Sequence, residues 1–318
     1  MEVTLNVRRY DPDSAKPAPY YQEYDLEIDE THTVLDGLIK VREEVDGTLA
    51  LRCSCRSAVC GSCAMRVNGH AVLACKTKVR DLLHRGSTKL TVEPAGNMPI
   101  IKDLVVEFNV FWDKIRAVEP WLQPQGVPPQ QEYIAPNEDM LHLAGVMACI
   151  MCGACVSDCT VLEVDKHFLG PAALAKAYRF VADPRDDAEK SRLGKLVQYG
   201  GVWDCTRCMQ CVQVCPKGVD PMGRIMALRD RAIENGYHNS NGARHAETFA
   251  RSIKHSGTLD ELRLPIGTFG IWNVKEMLKL IPLGLKAQMR GKRPPIFHKA
   301  IPGAENVRRI FEKVESKR

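Results

Sequence analysis

The chain has 318 residues, enough for about two domains, with 45% hydrophobic residues, 26% charged residues and a net charge of +5. That balance excludes a largely disordered or collagen-like polypeptide. The longest apolar stretches are broken by charge before the ~20 residues that would span a bilayer; the best candidate, 264–285, contains Lys275, Glu276 and Lys279.

The opening segment, MEVTLNVRRYDPD, has no apolar run after its first charges, so no secretory signal is expected. Residues 3–9 alternate apolar and polar side chains, the period of a half-buried strand, and 21–28 do so less cleanly. Val34, Leu35, Leu38, Ile39 and Val41 recur at helical spacing behind Thr31 or Thr33 as a cap. Between 64–67 and 71–74, Asn68-Gly69 signals a hairpin, and 89–93 adds a strand. Residues 101–115 carry a helical pattern. The Pro/Gln-rich piece after them (Pro120, Pro124, Pro128, Pro129) reads as a linker or an extended crossing segment. Helices are expected at 138–148, 171–182, 187–199, 221–235 and 243–255, with Pro171 and Pro221 in first turns. Residues 258–318 read as a Pro- and Gly-rich appendage with one amphipathic helix at 274–281, cut by Pro282. Residues 286–318 hold ten Lys/Arg against three Asp/Glu, a net +7. Such a tail suits a membrane surface or an acidic partner, or is a solvated face. Around Trp272, Lys275 and Lys279 membrane-surface and partner docking are both open, with partner docking favoured because the helix is short and Pro282 cuts it.

Thirteen cysteines in a chain without an export signal point to metal or redox chemistry rather than disulfides. Cys55-x4-Cys60-x2-Cys63, followed by Cys75, has the spacing of a plant-type [2Fe-2S] site. Gly61 suits a loop that passes close to a cluster. A four-thiolate zinc site is the alternative, although zinc prefers paired knuckles. Cys149-x2-Cys152-x2-Cys155-x3-Cys159 and Cys205-x2-Cys208-x2-Cys211-x3-Cys215-Pro216 each follow the run of two-cluster bacterial ferredoxins, in which the fourth cysteine serves the other cluster. Crossed ligation groups Cys149, Cys152, Cys155 and Cys215 around a [4Fe-4S] cluster. It groups Cys159, Cys205, Cys208 and Cys211 around a distal cluster. Only Cys53 is left over. There is no dinucleotide fingerprint, and the histidines form no ligand pattern. No residue is expected to be catalytic: the chain reads as a wire whose entry and exit lie in other subunits.

This order of sites resembles the iron–sulfur subunit of succinate dehydrogenase/fumarate reductase. The matching residues are Val7-Arg8-Arg9-Tyr10-Asp11-Pro12, Ser54-Cys55-Arg56, Cys60-Gly61-Ser62-Cys63-Ala64-Met65, Asn68-Gly69, Leu73-Ala74-Cys75 and Cys215-Pro216-Lys217-Gly218-Val219-Asp220-Pro221. The resemblance covers roughly 1–235. It implies an α+β fold: an N-terminal β-grasp plant-type [2Fe-2S] ferredoxin domain (1–105), a linker (106–137) and an all-α domain with a bacterial two-cluster ferredoxin-like core (138–257). A basic C-terminal extension (258–318) follows. It also implies electron flow between a FAD flavoprotein, facing the [2Fe-2S] domain, and a membrane anchor with quinone, facing the helical domain. The expected location is peripheral, on the cytoplasmic side of the cell membrane. No nucleic-acid partner is expected.

The sequence departs from the family pattern in four places. Cys208 stands where the usual member has no cysteine and a [3Fe-4S] distal cluster, so the distal cluster is expected to be [4Fe-4S], or [3Fe-4S] if Cys208 is not a ligand. The stations that usually carry quinone-pocket proline, tryptophan and histidine read Thr160-Val161-Leu162-Glu163-Val164 and Thr206. Residues 301–311 resemble the C-terminal segment of heterodisulfide reductase-like electron carriers, which points to a cysteine-rich anchor of that kind. Finally, Arg56-Ser57-Ala58 replaces the family's Arg-Glu-Gly. A heterodisulfide reductase or glycolate-oxidase-like carrier and a zinc-stabilised interaction protein remain the alternatives.

Overall fold

A computed structural model describes residues 1–83, 87–127, 129–270, 273–292, 295 and 299–316. Pro128, Trp272, Lys317 and Arg318 lie outside the described residues. The chain divides into two compact units, Met1–Asp230 and Arg231–Arg318.

The first unit opens with a five-stranded sheet in the order β2-β1-β5-β3-β4, built from β1 (Glu2–Arg9), β2 (Tyr20–Glu27), β3 (Ala64–Val67), β4 (His70–Leu73) and β5 (Lys89–Glu93). β1 runs parallel to β5 and antiparallel to β2, and β3 is antiparallel to both β4 and β5. The alternation read in β1 puts Val3, Leu5 and Val7 inside. Helix α1 (Val34–Lys40) begins at Thr33, whose hydroxyl accepts from the Asp36 N–H while the Asp36 carboxylate accepts from the Thr33 N–H. It packs Val34, Leu35 and Leu38 with the sheet's apolar face, each fully buried and worth ~1.5–3 kcal/mol. Asn68 and Gly69 both take positive φ, as the two-residue hairpin requires.

The helix expected over 101–115 is shorter than its pattern. Ile100–Lys102 (β6) and Val105–Val106 (β7) form an antiparallel pair instead, and helix α2 spans Asn109–Ala117. The cause is Asp103, which is buried at φ +45. Its carboxylate accepts from Arg9 Nε, the Tyr10 N–H and the Ala50 N–H at 3.0, 3.0 and 2.8 Å. A helical turn there would leave those donors unpaired, at a cost of ~1–3 kcal/mol each. The expected helix at 138–148 is likewise two short pieces, Asn137–Leu141 and Ala144–Met147.

Residues 119–127 have no regular structure but are held. The buried Arg192 guanidinium donates to the carbonyls of Val118, Glu119 and Trp121 and to both oxygens of Asp186. α2 packs on α3 (Gly170–Val181), an alanine-rich helix buried on nearly every side, and α4 (Glu189–Leu196) packs on α3 in turn. α5 spans Pro221–Glu234.

In the second unit, α6 (Asn241–Ser256) is capped by Ser240 and stopped by Gly257. α7 (Arg263–Phe269) and α9 (Ala304–Glu315) pack against it, and Lys254 pairs with Glu315 at 2.7 Å. Between them lies α8 (Val274–Met289). Pro282 does not end this helix, which runs seven residues further. The proline is exposed, so the carbonyl it leaves unpaired one turn earlier can be hydrated.

Candidate iron–sulfur sites

The first site is built on the loop before β3. Backbone N–H groups of Ser57, Val59 and Cys60 donate to Cys55 Sγ at 3.4, 3.4 and 3.3 Å, and the Ala58 N–H donates to Cys75 Sγ at 3.3 Å. Arg56, Ala58 and Gly61 all take positive φ, which turns successive N–H groups inward as an anion-binding nest. Ala58 thus holds a left-handed conformation that ordinarily favours glycine. The Ser62 hydroxyl, with the backbone N–H groups of Cys55 and Ser62, brings the Cys60 thiol down to about 6, whereas burial pushes Cys63 up to about 12. The loop tip is open: Cys60 is exposed and Val59 is 61% exposed.

Cys149, Cys152, Cys155 and Cys215 line one cavity, and Cys159, Cys205, Cys208 and Cys211 line a second. The fourth cysteine of each run has crossed to the other group. Among the described residues, no three Cys, His, Asp or Glu side chains converge as ligands of a single ion. The four thiols of each set line a cavity. Burial, with the charge of neighbouring thiols adding to it, holds Cys152, Cys155 and Cys159 above the ordinary thiol range and brings Cys211 up to about 12. Each cavity thus holds two such buried thiols beside two more, and they coexist as thiolates only around a cation, so the donor sets fit iron–sulfur centres. Cys208 behaves differently. Burial pulls it up, but the Thr160 hydroxyl at 3.5 Å and the Gln210 N–H bring it net below the ordinary range.

The backbone of the two runs repeats. Met151 and Gly153 flank Cys152 at φ +56 and +78; Arg207 and Met209 flank Cys208 at +58 and +68. Cys208 therefore occupies the conformational station of Cys152. Cys53 packs beside the sheet core and lines neither cavity.

Four residues position the sites; the sequence marks only the first of them, Gly61, and the other three carry no local signal. Gly61 lies against Cys152: a β-carbon on it would stand 2.8 Å from Cys152 Cβ and 2.9 Å from its Cα. Asp158, buried between Cys155 and Cys159, accepts from Arg66 Nε at 2.9 Å and the Ala71 N–H at 2.7 Å, tying the β3–β4 hairpin to the second run. Asn97 Nδ2 donates to the carbonyls of Val156, Ser157 and Cys159. Under the third run, the buried Arg229 donates to the carbonyls of Val202, Trp203 and Cys205.

A model described as a 2Fe-2S iron–sulfur cluster binding domain matches residues 4–113, and one described as a 4Fe-4S dicluster domain matches 145–219. The fumarate reductase iron–sulfur subunit of Mycobacterium tuberculosis (strain CDC 1551 / Oshkosh) is 39% identical over 229 residues, covering 71% of this chain and 91% of that protein. The chain belongs to the succinate dehydrogenase/fumarate reductase iron–sulfur subunit family. Membership makes it an electron-transfer subunit of a succinate:quinone oxidoreductase complex. A second relative in the family is the mitochondrial succinate dehydrogenase (ubiquinone) iron–sulfur subunit 1 of Oryza sativa subsp. japonica, 35% identical over 235 residues, 73% of this chain and 82% of its own. The fold is shared with a chain of the Mycobacterium smegmatis Sdh1 complex in the apo form, at a TM-score of 0.67 and 24% identity over 74% of this chain and 97% of that one. Family membership carries the α+β arrangement anticipated from the motifs: a [2Fe-2S] domain with its sheet, then a helical dicluster region.

Proposed function

We propose that Cys55, Cys60, Cys63 and Cys75 hold a [2Fe-2S] cluster, that Cys149, Cys152, Cys155 and Cys215 hold a [4Fe-4S] cluster, and that Cys159, Cys205, Cys208 and Cys211 hold a second [4Fe-4S] cluster. When bound, the clusters supply one-electron carriers. The protein's own part is to space them, tune them by N–H donation and leave only the two ends open. The supporting observation is the sorting of twelve thiols into three groups of four. The outer two groups reach the surface, at Cys60 and at Cys208. The middle group touches the first through Gly61, and it lies near enough to the third for the charge of Cys211 to raise the Cys155 thiol.

In this reading the exposed loop 56–60 faces the FAD flavoprotein, and the exposed stretch 206–209 faces the membrane anchor. The subunit sits peripherally on the cytoplasmic face; among the described residues no helix is long and apolar enough to cross a membrane. Thr160, Val161 and Thr206 surround the third group in place of the usual quinone residues, which favours a cysteine-rich, heterodisulfide reductase-like anchor. A native complex purified with a two-haem anchor would contradict that part.

Anaerobically prepared protein should contain ~10 irons per chain, and its oxidised form should show no three-iron paramagnetic signal. Cys208→Ser should create that near-isotropic signal and lose about one iron. A stoichiometric three-iron signal in the unaltered protein would remove Cys208 from the ligand set.

A further inference from the structure

Helix α8 carries an apolar face that the second unit leaves uncovered. At 100° per residue, the half-buried residues Glu276, Met277, Leu280 and Ala287 fall on one side of the helix. On the opposite side Val274, Leu278, Ile281, Leu285 and Met289 form a stripe, one residue per turn or nearly so. These five are 50–80% exposed, and none of the helix's sixteen residues is fully buried. An amphipathic helix of a globular protein ordinarily has a single apolar stripe and turns it to the core.

A row of cations borders this outer stripe. Lys275, Lys279 and Lys286 lie along its edge at helical spacing, all exposed, and Arg290 and Lys292 continue the positive charge past the C-terminus. The helix's single acid, Glu276, faces the other way and pairs with Lys279 at 2.6 Å. An apolar row with a parallel lysine row beside it matches the boundary between acyl chains and anionic headgroups. The stripe enters the apolar layer, and the lysine stems snorkel to bring their ammonium groups to the phosphates. A protein groove would need acids placed against each lysine; a sheet of lipid phosphates supplies negative charge at every position. At ~1.5 Å per residue the helix is about 24 Å long, too short to cross the ~30 Å apolar layer, so it lies in the plane of the surface.

We propose that α8 docks on an anionic phospholipid surface through Val274, Leu278, Ile281, Leu285 and Met289, with Lys275, Lys279 and Lys286 on the headgroups. This contact belongs to the chain itself and adds a lipid anchorage point to any that a membrane partner provides. It deepens the peripheral placement proposed above, and its readout is independent of the clusters.

The test is sedimentation of the full, iron-loaded chain with vesicles of phosphatidylglycerol and phosphatidylcholine, and with vesicles of phosphatidylcholine alone. The chain should pellet with the anionic vesicles and stay in solution with the neutral ones. The triple variant Lys275→Glu, Lys279→Glu, Lys286→Glu should weaken binding on the order of 100-fold, from ~1 kcal/mol per lysine at an anionic surface. Leu278→Glu with Leu285→Glu should abolish it. All five side chains are exposed, so circular dichroism and the visible spectrum of both variants should match the parent's. The proposal is overturned if the parent ignores anionic vesicles, or if either variant binds them as the parent does. It is also overturned if the variants keep vesicle binding but lose a protein subunit, which would make a protein the occupant of the stripe.

Discussion

Gly61→Ala is the most discriminating single change, because the structure separates its two penalties. The residue sits at φ +76, where an alanine costs ~1–2 kcal/mol in backbone strain alone. The added β-carbon would also meet Cys152 at 2.8 Å (Cβ), 2.9 Å (Cα) and 3.3 Å (N). These are backbone and near-backbone atoms that cannot rotate aside, so one loop must retreat, an overpacking cost of ~1–3 kcal/mol. Gly69→Ala is the control: its φ is +82, and nothing lies within 4 Å of the position. It should show the strain penalty only. Ala58, at φ +55 in the same cysteine loop, shows that this loop accepts a β-carbon at a positive φ. The assay is the temperature at which the visible absorbance of the anaerobic protein is lost, with Gly61→Ala falling below Gly69→Ala by the equivalent of ~1–3 kcal/mol. Magnetic coupling between the reduced first and second centres should weaken as the loops part. Equal stability of the two variants, with unchanged coupling, would refute the claim that Gly61 sets the approach of the first site to the second.

Two other substitutions test the supporting structure. Asp158→Ala leaves the buried Ala71 N–H without an acceptor and Arg66 without its carboxylate, and should cost about 3 kcal/mol; Asp158→Asn, which keeps an oxygen for the Ala71 N–H, should lose roughly half as much by the same thermal assay. Cys53→Ser should leave the iron content and the visible spectrum unchanged, since Cys53 belongs to none of the three thiol groups; loss of any iron on that substitution would show the partition of twelve cysteines to be wrong.

The strands around β1 and the Asn68-Gly69 hairpin could be read from the chain because each depends on neighbours a few residues apart. The repeated spacing of the eight ferredoxin-run cysteines is local in the same way, and the grouping proposed above starts from it. What escaped depends on partners far along the chain. Asp103 ends a helical pattern for the sake of Arg9, and Asp158 reaches Ala71. Arg192 anchors residues 118–121, more than 70 positions earlier. No local periodicity records such pairs: each is one charged side chain serving several backbone groups, chosen by the packing of complete domains. Gly61 is intermediate. Its residue type announced a close approach, but its neighbour, Cys152, came only from the fold.

The strongest argument for treating Cys208 as the equal of Cys152 comes from the residue after it. The first run has glycine at that station, Gly153, where φ +78 is free of strain; the second has Met209 at φ +68, which costs a residue with a side chain ~1–2 kcal/mol. Arg207, two positions before, accepts a similar penalty at +58, as Met151 does at +56. A loop with no ligand at Cys208 would gain by relaxing both residues into ordinary conformations. Holding them left-handed turns the surrounding N–H groups towards the centre, and the Gln210 N–H and the Thr160 hydroxyl both donate to Cys208 Sγ. The strain sits where a fourth thiolate would need it, at the exposed end of the proposed path, so in that proposal the electron's exit depends on the same few residues that decide how many irons the last centre holds.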